Sequence, residues 1–559
     1  MTKLRTFHER ASIGYAWNYL YKLTEFGLVN CYAILVVRHF GPEISAPYAV
    51  FMALCSTISI ICAFAVDGVL LRYIQRISLN ESSADEDINS IEHFGLRRFI
   101  RILFAFRILV VTFVSLLILI VVFFLPLIIP SFAPMLGSVR ELSPFMIVFL
   151  YAQAVTAFCT FSLIGLLESK RVFYASLVSR GLLLGGGLIL IFTNSLILNY
   201  AVGLYILSAV INAMYLFFAI RSELSKEAGK ESGEKFSVFS MQDMWQMIRR
   251  IRHMKLFLAT PLMLYGITTW GSDILSTVLG RQPDILMIRV MFGEHSPEIG
   301  YYFSASILLL VTEYIFLFGL GGTLVSIFSK LAHDDEKEHK KRSYPHLLRA
   351  RKEIAGFQNV VLLPLCAYML VFAPIVMRSI YGEKYDAAVP MVRIGLCALV
   401  LAVGAFGGGM QVTSLVAIGK ERLVFRNRLF WGVANVTANI FLIRSYGGLG
   451  AIIGTQFANA FSCGTESYFA KKIIGTSFDL FGTIRIMGIS VIAVTIGYFI
   501  IQMLGKDSSD AFNSIFSILV VGTMTTFLYI LLKVPEAKKV WYRIQGLLHR
   551  KNSETLINE

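Results

Sequence analysis

The sequence contains little charge for its length. Only 16% of its 559 residues are Asp, Glu, Lys or Arg, whereas 56% are hydrophobic and the mean hydropathy is +0.67. A water-soluble domain of this composition would aggregate, so the lipid bilayer is the expected solvent. The chain also contains no GxxxxGK[ST] sequence, which excludes an ATPase of the P-loop type.

The cysteines and histidines do not indicate a disulfide framework or a metal site. The seven cysteines lie within or at the edge of apolar stretches, and no two have CxxC spacing. We interpret them as small residues of membrane helices. His333 and His339 stand among charged residues without further ligand spacing, so we expect neither a metal nor a cofactor.

Fourteen long apolar stretches follow one another along the chain, and each is near or above the roughly 20 residues that a helix needs to cross a membrane. They span about 12–37, 46–71, 102–130, 144–167, 172–193, 199–220, 257–280, 300–328, 355–379, 387–417, 424–443, 449–469, 483–504 and 511–532. The sequence therefore predicts an all-α polytopic membrane protein with about 14 transmembrane helices.

Lys and Arg fall into every second gap between these stretches. If the first gap is cytoplasmic, 39 of the 51 basic residues are cytoplasmic and 8 lie on the opposite side. This split follows the positive-inside rule and predicts a multi-pass protein of the cytoplasmic (inner) membrane with both termini in the cytoplasm. The net charge of +15 is then explained by topology and attraction to anionic lipid, and no nucleic acid is expected.

A long polar segment near the middle divides the chain. The predicted organisation is a first six-helix lobe, a cytoplasmic linker, a second six-helix lobe, two further helices and a basic tail: 1–220, 221–256, 257–475, 476–535 and 536–559. Within the linker Met241, Met244 and Trp245 share one helical face beside Arg249 and Arg250. We interpret this as a linker helix on the inner leaflet, the alternative being a sensor or partner site.

The two lobes show signs of an internal duplication. At an offset of 254 positions Tyr48 corresponds to Tyr302, and Gly68 corresponds to Gly322. Phe40-Gly41 and Phe292-Gly293 precede these segments. Six helices followed by six helices, each set starting inside, is a parallel repeat, as in transporters built from two lobes around a central cavity.

Short segments in a fixed order carry a family resemblance. They are Phe40-Gly41 through Tyr48-Ala49 to Gly68–Arg72, Asp284 with Gly293 and Gly300-Tyr301-Tyr302, Tyr381–Tyr385, Ala417–Lys420, and Asn435 and Asn439 followed by Tyr446–Ala451. Together they resemble the polysaccharide and O-antigen (lipid-linked oligosaccharide) flippases of the multidrug/oligosaccharidyl-lipid/polysaccharide (MOP) exporter superfamily. The match covers most of residues 10–475.

The resemblance implies a pair of six-helix lobes around a cavity. It implies translocation of a polyprenyl-pyrophosphate-linked oligosaccharide by alternating access, for exopolysaccharide or O-antigen biosynthesis. The partners expected from it are the lipid-linked substrate, membrane lipids and other polysaccharide assembly proteins. An ion gradient, of H⁺ or Na⁺, is the expected driver.

Charged residues inside a membrane are costly and usually face a cavity or a partner. Arg180, Arg107, Lys22 and Arg393 are candidate ligands of the pyrophosphate, because a dense anion needs cationic donors. Pairing or snorkelling to the interface is the competing interpretation, and for Lys22 the partner would be Glu25.

Three carboxylates are candidates for ion coupling. Glu313, Asp273 and Glu25 lie within apolar stretches, and a desolvated carboxylate can take up and release protons near neutral pH. A second group is assigned to a gate or to helix packing: Gly68, Asp284, Asn435 and Asn439. For Asn435 and Asn439 the sequence favours helix packing over substrate binding.

No catalytic residue is predicted, and the chain is not expected to be an enzyme. One alternative is a cation-coupled multidrug exporter of the same superfamily, which would need fewer deep arginines. Another is a membrane polysaccharide polymerase or glycosyltransferase, but the short external connections provide no room for a catalytic loop.

Overall fold

Every regular element of the computed structural model, across the part of the chain that it describes, is helical. The described residues are 2–70, 74, 96–128, 137–228, 261–317, 320–338, 344–475, 480–504, 510–532, 534–535 and 537. The α-helices are α1 (Thr2–Ala63), α2 (Leu96–Ile128), α3 (Gly137–Gly165), α4 (Ser169–Phe192), α5 (Leu198–Ala228), α6 (Pro261–Val278), α7 (Arg281–Phe292), α8 (Pro297–Leu317), α9 (Leu320–Glu338), α10 (Pro345–Tyr381), α11 (Val389–Val400), α12 (Met410–Ala417), α13 (Glu421–Ile473), α14 (Leu480–Leu504) and α15 (Asp510–Leu531). A 3₁₀ segment (Glu383–Ala388) precedes α11, and a π segment (Leu401–Ala405) follows it.

Ten helical stretches of the described chain are long and apolar enough to cross a membrane. Two of them each contain two predicted spans, because α1 turns at Gly41 and α13 turns at Gly447 with positive φ. The predicted span 257–280 corresponds to α6, which ends at Val278, and α7 begins at Arg281. The chain is therefore an all-α, multi-pass membrane protein, and the predicted fold class is confirmed.

The internal duplication is visible in the backbone. Gly41 and Gly293 both have left-handed φ angles, +78° and +91°, and lie 252 positions apart. Leu167 (φ +63°) and Gly419 (φ +71°) are also 252 positions apart. Asn194, with φ +50°, has its counterpart 253 positions later in Gly447. The same helix ends therefore recur in both halves of the chain.

By packing, the chain divides into two compact units, 1–300 and 301–559. In the first unit α1 packs along α4, and the buried core includes Val66, Leu103, Phe158 and Val172. In the second unit α10 packs against both α14 and α15. The domain limits given by the sequence stay predictions. The amphipathic segment 240–252 lies outside the described residues, as does the basic tail except residue 537.

Two prolines inside α10 free backbone carbonyls four residues earlier, and side chains from other elements donate to these carbonyls. Pro364 of α10 leaves the carbonyl of Val360 free, and the Tyr529 hydroxyl donates to it at 3.2 Å. Pro374 leaves the carbonyl of Leu370 free, and a side chain of α11 donates to that one. An unsatisfied carbonyl is expensive in lipid, so these donors compensate for the prolines.

Candidate functional site

One predicted cation and one predicted carboxylate form an ion pair. Arg180 of α4 donates to Glu25 Oε1 of α1 from Nη2 at 2.5 Å and from Nε at 3.1 Å. Its Nη1 donates to the Ser208 hydroxyl at 3.2 Å, and Ser176 donates to Glu25 Oε2 at 2.7 Å. Arg180 is 3% exposed, whereas the Glu25 side chain is 26% exposed. The carboxylate is therefore the accessible member of a paired and hydrogen-bonded charge cluster.

Lys22 lies about one helical turn before this pair, in α1. It is exposed, and its ammonium stands 5.2 Å from the ring centroid of Tyr21. Among the described residues it makes no salt bridge, so the predicted pairing with Glu25 is not a direct ion contact. Lys22 is thus an exposed cation within α1, and a role toward an anionic ligand remains a prediction.

Arg107 of α2 binds the break in α1. Its Nη1 donates to the carbonyl of Ala63 at 2.6 Å and to Asp67 Oδ1 at 3.2 Å. Phe64 and Ala65 have positive φ, so the helix cannot continue past Ala63 and its last carbonyl needs a donor. Arg107 is 2% exposed and supplies that donor. These contacts with a backbone carbonyl and with Asp67 account for this arginine, and a role toward substrate remains a prediction.

Arg393 of α11 is held by backbone as well. Its Nε donates to the carbonyl of Leu370 at 3.0 Å, which is the group that Pro374 leaves free, and its Nη2 approaches Val371 O at 3.5 Å. The residue is otherwise exposed. Backbone support accounts for this arginine without a ligand.

The predicted acidic residues are dispersed. Glu313 is partly buried in α8, and Asp273 is exposed on α6. Asp284 is fully buried near the start of α7. Gly68 lies just after the break in α1, in the helical residues 66–70. Glu25 is hydrogen-bonded to a candidate cation, Arg180. The coupling assignments for Glu313 and Asp273 remain predictions.

Asn435 and Asn439 lie in α13 before its turn at Gly447. Asn439 donates to the Thr455 hydroxyl at 3.0 Å, and that hydroxyl donates to Asn435 Oδ1 at 3.1 Å. All three residues are buried. These bonds connect the two arms of the α13 hairpin, and the helix-packing role of both asparagines stays a prediction.

Sequence reasoning did not select several members of these clusters. Glu466 of α13 is 2% exposed and accepts a hydrogen bond from Asn427 at 3.2 Å. Asp67 is the carboxylate that meets Arg107. Both are acids within apolar stretches. A carboxylate in an apolar stretch is the feature by which Glu313 was chosen as a candidate, so the same feature identifies Asp67 and Glu466 in the sequence. The serines around Arg180 carry no such signal.

Comparison with known proteins gives the fold its context. No family model and no curated protein matches the sequence. The lipid II flippase MurJ in an inward closed conformation is similar in structure, with 16% identity and a TM-score of 0.60, over 93% of this chain and 99% of that one. The chain has the fold of a MOP-type transporter.

Two further structures extend this similarity. A multidrug resistance MATE family transporter of the MOP superfamily, in an inward-facing conformation, matches with 16% identity and a TM-score of 0.54, over 80% of this chain and 94% of that one. A MATE structure in complex with MaL6 matches with 16% identity and a TM-score of 0.50, over 82% and 95%. The MOP-type fold is thus shared with a flippase and with multidrug transporters.

Proposed function

We propose that this protein is a flippase that moves a polyprenyl-pyrophosphate-linked oligosaccharide across the cytoplasmic membrane by alternating access. The observation that carries the proposal is the similarity to a lipid II flippase over 93% of this chain and 99% of the other. A lipid substrate of that kind, with a large polar head group, is the class that we assign to this chain. Exopolysaccharide or O-antigen assembly is the process in which we place it.

The charges of the first unit support an anionic substrate. Lys22 is exposed in the middle of an apolar helix and makes no salt bridge among the described residues, so its charge is available to a pyrophosphate. Arg180 is already paired with Glu25. Protonation of Glu25, the accessible partner, would release Arg180 for an anion, which gives one route for coupling flipping to a proton gradient. Glu313 is the corresponding candidate in the second unit.

A cation-coupled multidrug exporter is the second candidate function. The similarity to MATE multidrug transporters favours it, since those structures match over 80% or more of this chain. It requires an acidic binding region rather than a cationic one. The two functions therefore make opposite demands on Lys22.

Translocation in proteoliposomes tests the proposal. A pyrophosphate-linked polyprenyl oligosaccharide and ethidium are offered in parallel, with no gradient, a proton gradient or a sodium gradient. We expect flipping of the lipid-linked sugar, reduced at least tenfold in Lys22→Ala and unchanged in Lys420→Ala, whose exposed lysine lies between α12 and α13. The Glu25→Gln variant should flip the lipid-linked sugar at a rate that does not depend on the proton gradient. Ethidium transport without sugar flipping would overturn the proposal and establish the exporter.

A further inference from the structure

A break interrupts the membrane helix that contains α11 and α12. The π segment ends at Ala405, and Gly407 and Gly408 follow with left-handed φ angles of +78° and +56°. The space at Gly407 is also small, because an added Cβ would lie 2.6 Å from the amide nitrogen of Gln411. Broken helices inside membranes are tolerated where other groups satisfy the backbone or where they line a site.

Arg351 of α10 faces this break. Its Nη2 donates to Gln411 Oε1, and its Nη1 reaches the carbonyl of Gly475 at 3.5 Å. The Gln411 amide in turn donates to the carbonyl of Phe406 at 3.0 Å. Arg351 is 1% exposed, and its Nε has no hydrogen-bond partner among the described residues. One donor of a completely enclosed guanidinium is therefore unused.

A second unused donor approaches the same break. Gln358 follows Arg351 by two helical turns, so both side chains leave one face of α10. It is 3% exposed, its Nε2 has no hydrogen-bond partner in the described chain, and that nitrogen lies 3.7 Å from the position of a Cβ at Gly408. The unused donors of Arg351 and Gln358 thus belong to one cluster with Gln411 and the Gly407-Gly408 break.

No carboxylate of the described residues compensates the charge of this cluster. Among the described residues no carboxylate forms a salt bridge with Arg351, and its two partners are an amide and a carbonyl. A guanidinium stays protonated, and an enclosed charge needs an opposite charge or strong hydrogen bonds. Both unused groups are donors, so the missing ligand is an acceptor. Because both side chains are enclosed, that acceptor is small.

We propose that Arg351, Gln358 and the Gly407-Gly408 break form a binding site for a small inorganic anion in the second unit. The anion would complete the shell of Arg351 and connect α10 to the broken helix and to the end of α13. This site does not depend on which substrate the protein transports, since it uses none of the residues assigned to the pyrophosphate or to coupling.

Anion binding is measured on the purified full-length protein in detergent. Chloride replaces gluconate at constant sodium and ionic strength while the midpoint of thermal unfolding is followed, and radioactive chloride binding is measured by scintillation proximity. Inorganic phosphate is titrated in a parallel series. We expect a saturable rise of the midpoint and one saturable binding site. A response to phosphate alone would assign the site to an oxyanion, and a response to chloride alone to a halide.

Two variants locate the site. Arg351→Met should abolish anion binding, and Gln358→Leu should weaken it at least tenfold while the arginine is retained. Gln502→Leu is the matched control, because Gln502 is an exposed glutamine of α14, and it should bind as the unchanged protein does. If Arg351→Met does not fold, Gln358→Leu alone decides. Equal anion binding by Gln358→Leu and the control, or no saturable anion effect in the unchanged protein, would overturn the proposal.

Discussion

Arg180 donates two hydrogen bonds to a single carboxylate oxygen of Glu25, although 155 residues separate them in the sequence. The pair fixes α4 against the middle of α1. Each helix carries a charge into an apolar lobe, and each charge is compensated by the opposite charge on the neighbouring helix. Removing either member leaves the other uncompensated.

Arg180→Met should therefore destabilise the protein by about 3 kcal/mol, the lower end of the range for buried pairs, since Glu25 is partly exposed. The double variant with Glu25→Gln should recover part of this loss. Unfolding in mixed micelles at increasing denaturing detergent measures it. Arg378→Met is the control, because Arg378 pairs with Asp386 at an exposed position and its loss should cost about 0–1 kcal/mol. Similar losses for Arg180→Met and Arg378→Met would contradict this prediction.

Leu167→Gly should leave stability unchanged or raise it by up to about 1 kcal/mol. Leu167 has a left-handed φ that costs a residue with a Cβ about 1–2 kcal/mol, partly offset by the greater chain entropy of glycine. The reverse change at its counterpart, Gly419→Leu, should cost about 1–2 kcal/mol. Both are measured by the same unfolding titration.

The control for this exchange is Leu182→Gly, an exposed leucine inside α4, which should lose about 1 kcal/mol from helix propensity. A loss at Leu167→Gly equal to that at Leu182→Gly would mean that the left-handed turn carries no strain.

Arg393→Met should cost about 1–2 kcal/mol, because the carbonyl of Leu370 loses its donor. In a Pro374→Ala background the helix supplies its own N–H to that carbonyl, so the same change should cost clearly less. A double-mutant cycle measures this coupling. Pro364→Ala is the matched proline control, because the carbonyl that Pro364 leaves free accepts a hydrogen bond from Tyr529 and not from Arg393. A cost for Arg393→Met that is the same in all three backgrounds would show that the arginine does not act on the Pro374 carbonyl.

The membrane helices and the repeat could be predicted from the sequence because both follow from local patterns. Apolar length gives a helix that spans, and Phe40-Gly41 and Phe292-Gly293 stand where the chain turns in both halves. The pairing of Arg180 with Glu25 could not be predicted, since it depends on which helices become neighbours.

The burial of Arg351 could not be predicted from the sequence either. In the sequence it lies within the charged segment 330–354, which composition assigns to a polar connection. In the structure α10 begins at Pro345 and carries Arg351 into the interior. Composition reflects the average surroundings of a segment, whereas the burial of one residue depends on the elements packed around it.

The recurrence of left-handed turns has a consequence for the way the two halves differ. Positions 252 residues after Glu25 and Arg180 hold Thr277 and Gly432, and the position corresponding to Arg107 holds Asn359. The connections are repeated, but the electrostatics of the first unit are not. A chain with two copies of the second half would retain these turns and lose the Arg180–Glu25 and Arg107–Asp67 ion pairs of the first. The repeat therefore preserves the backbone turns and not the charged side chains. Each half has its own set of charges with which to distinguish ligands.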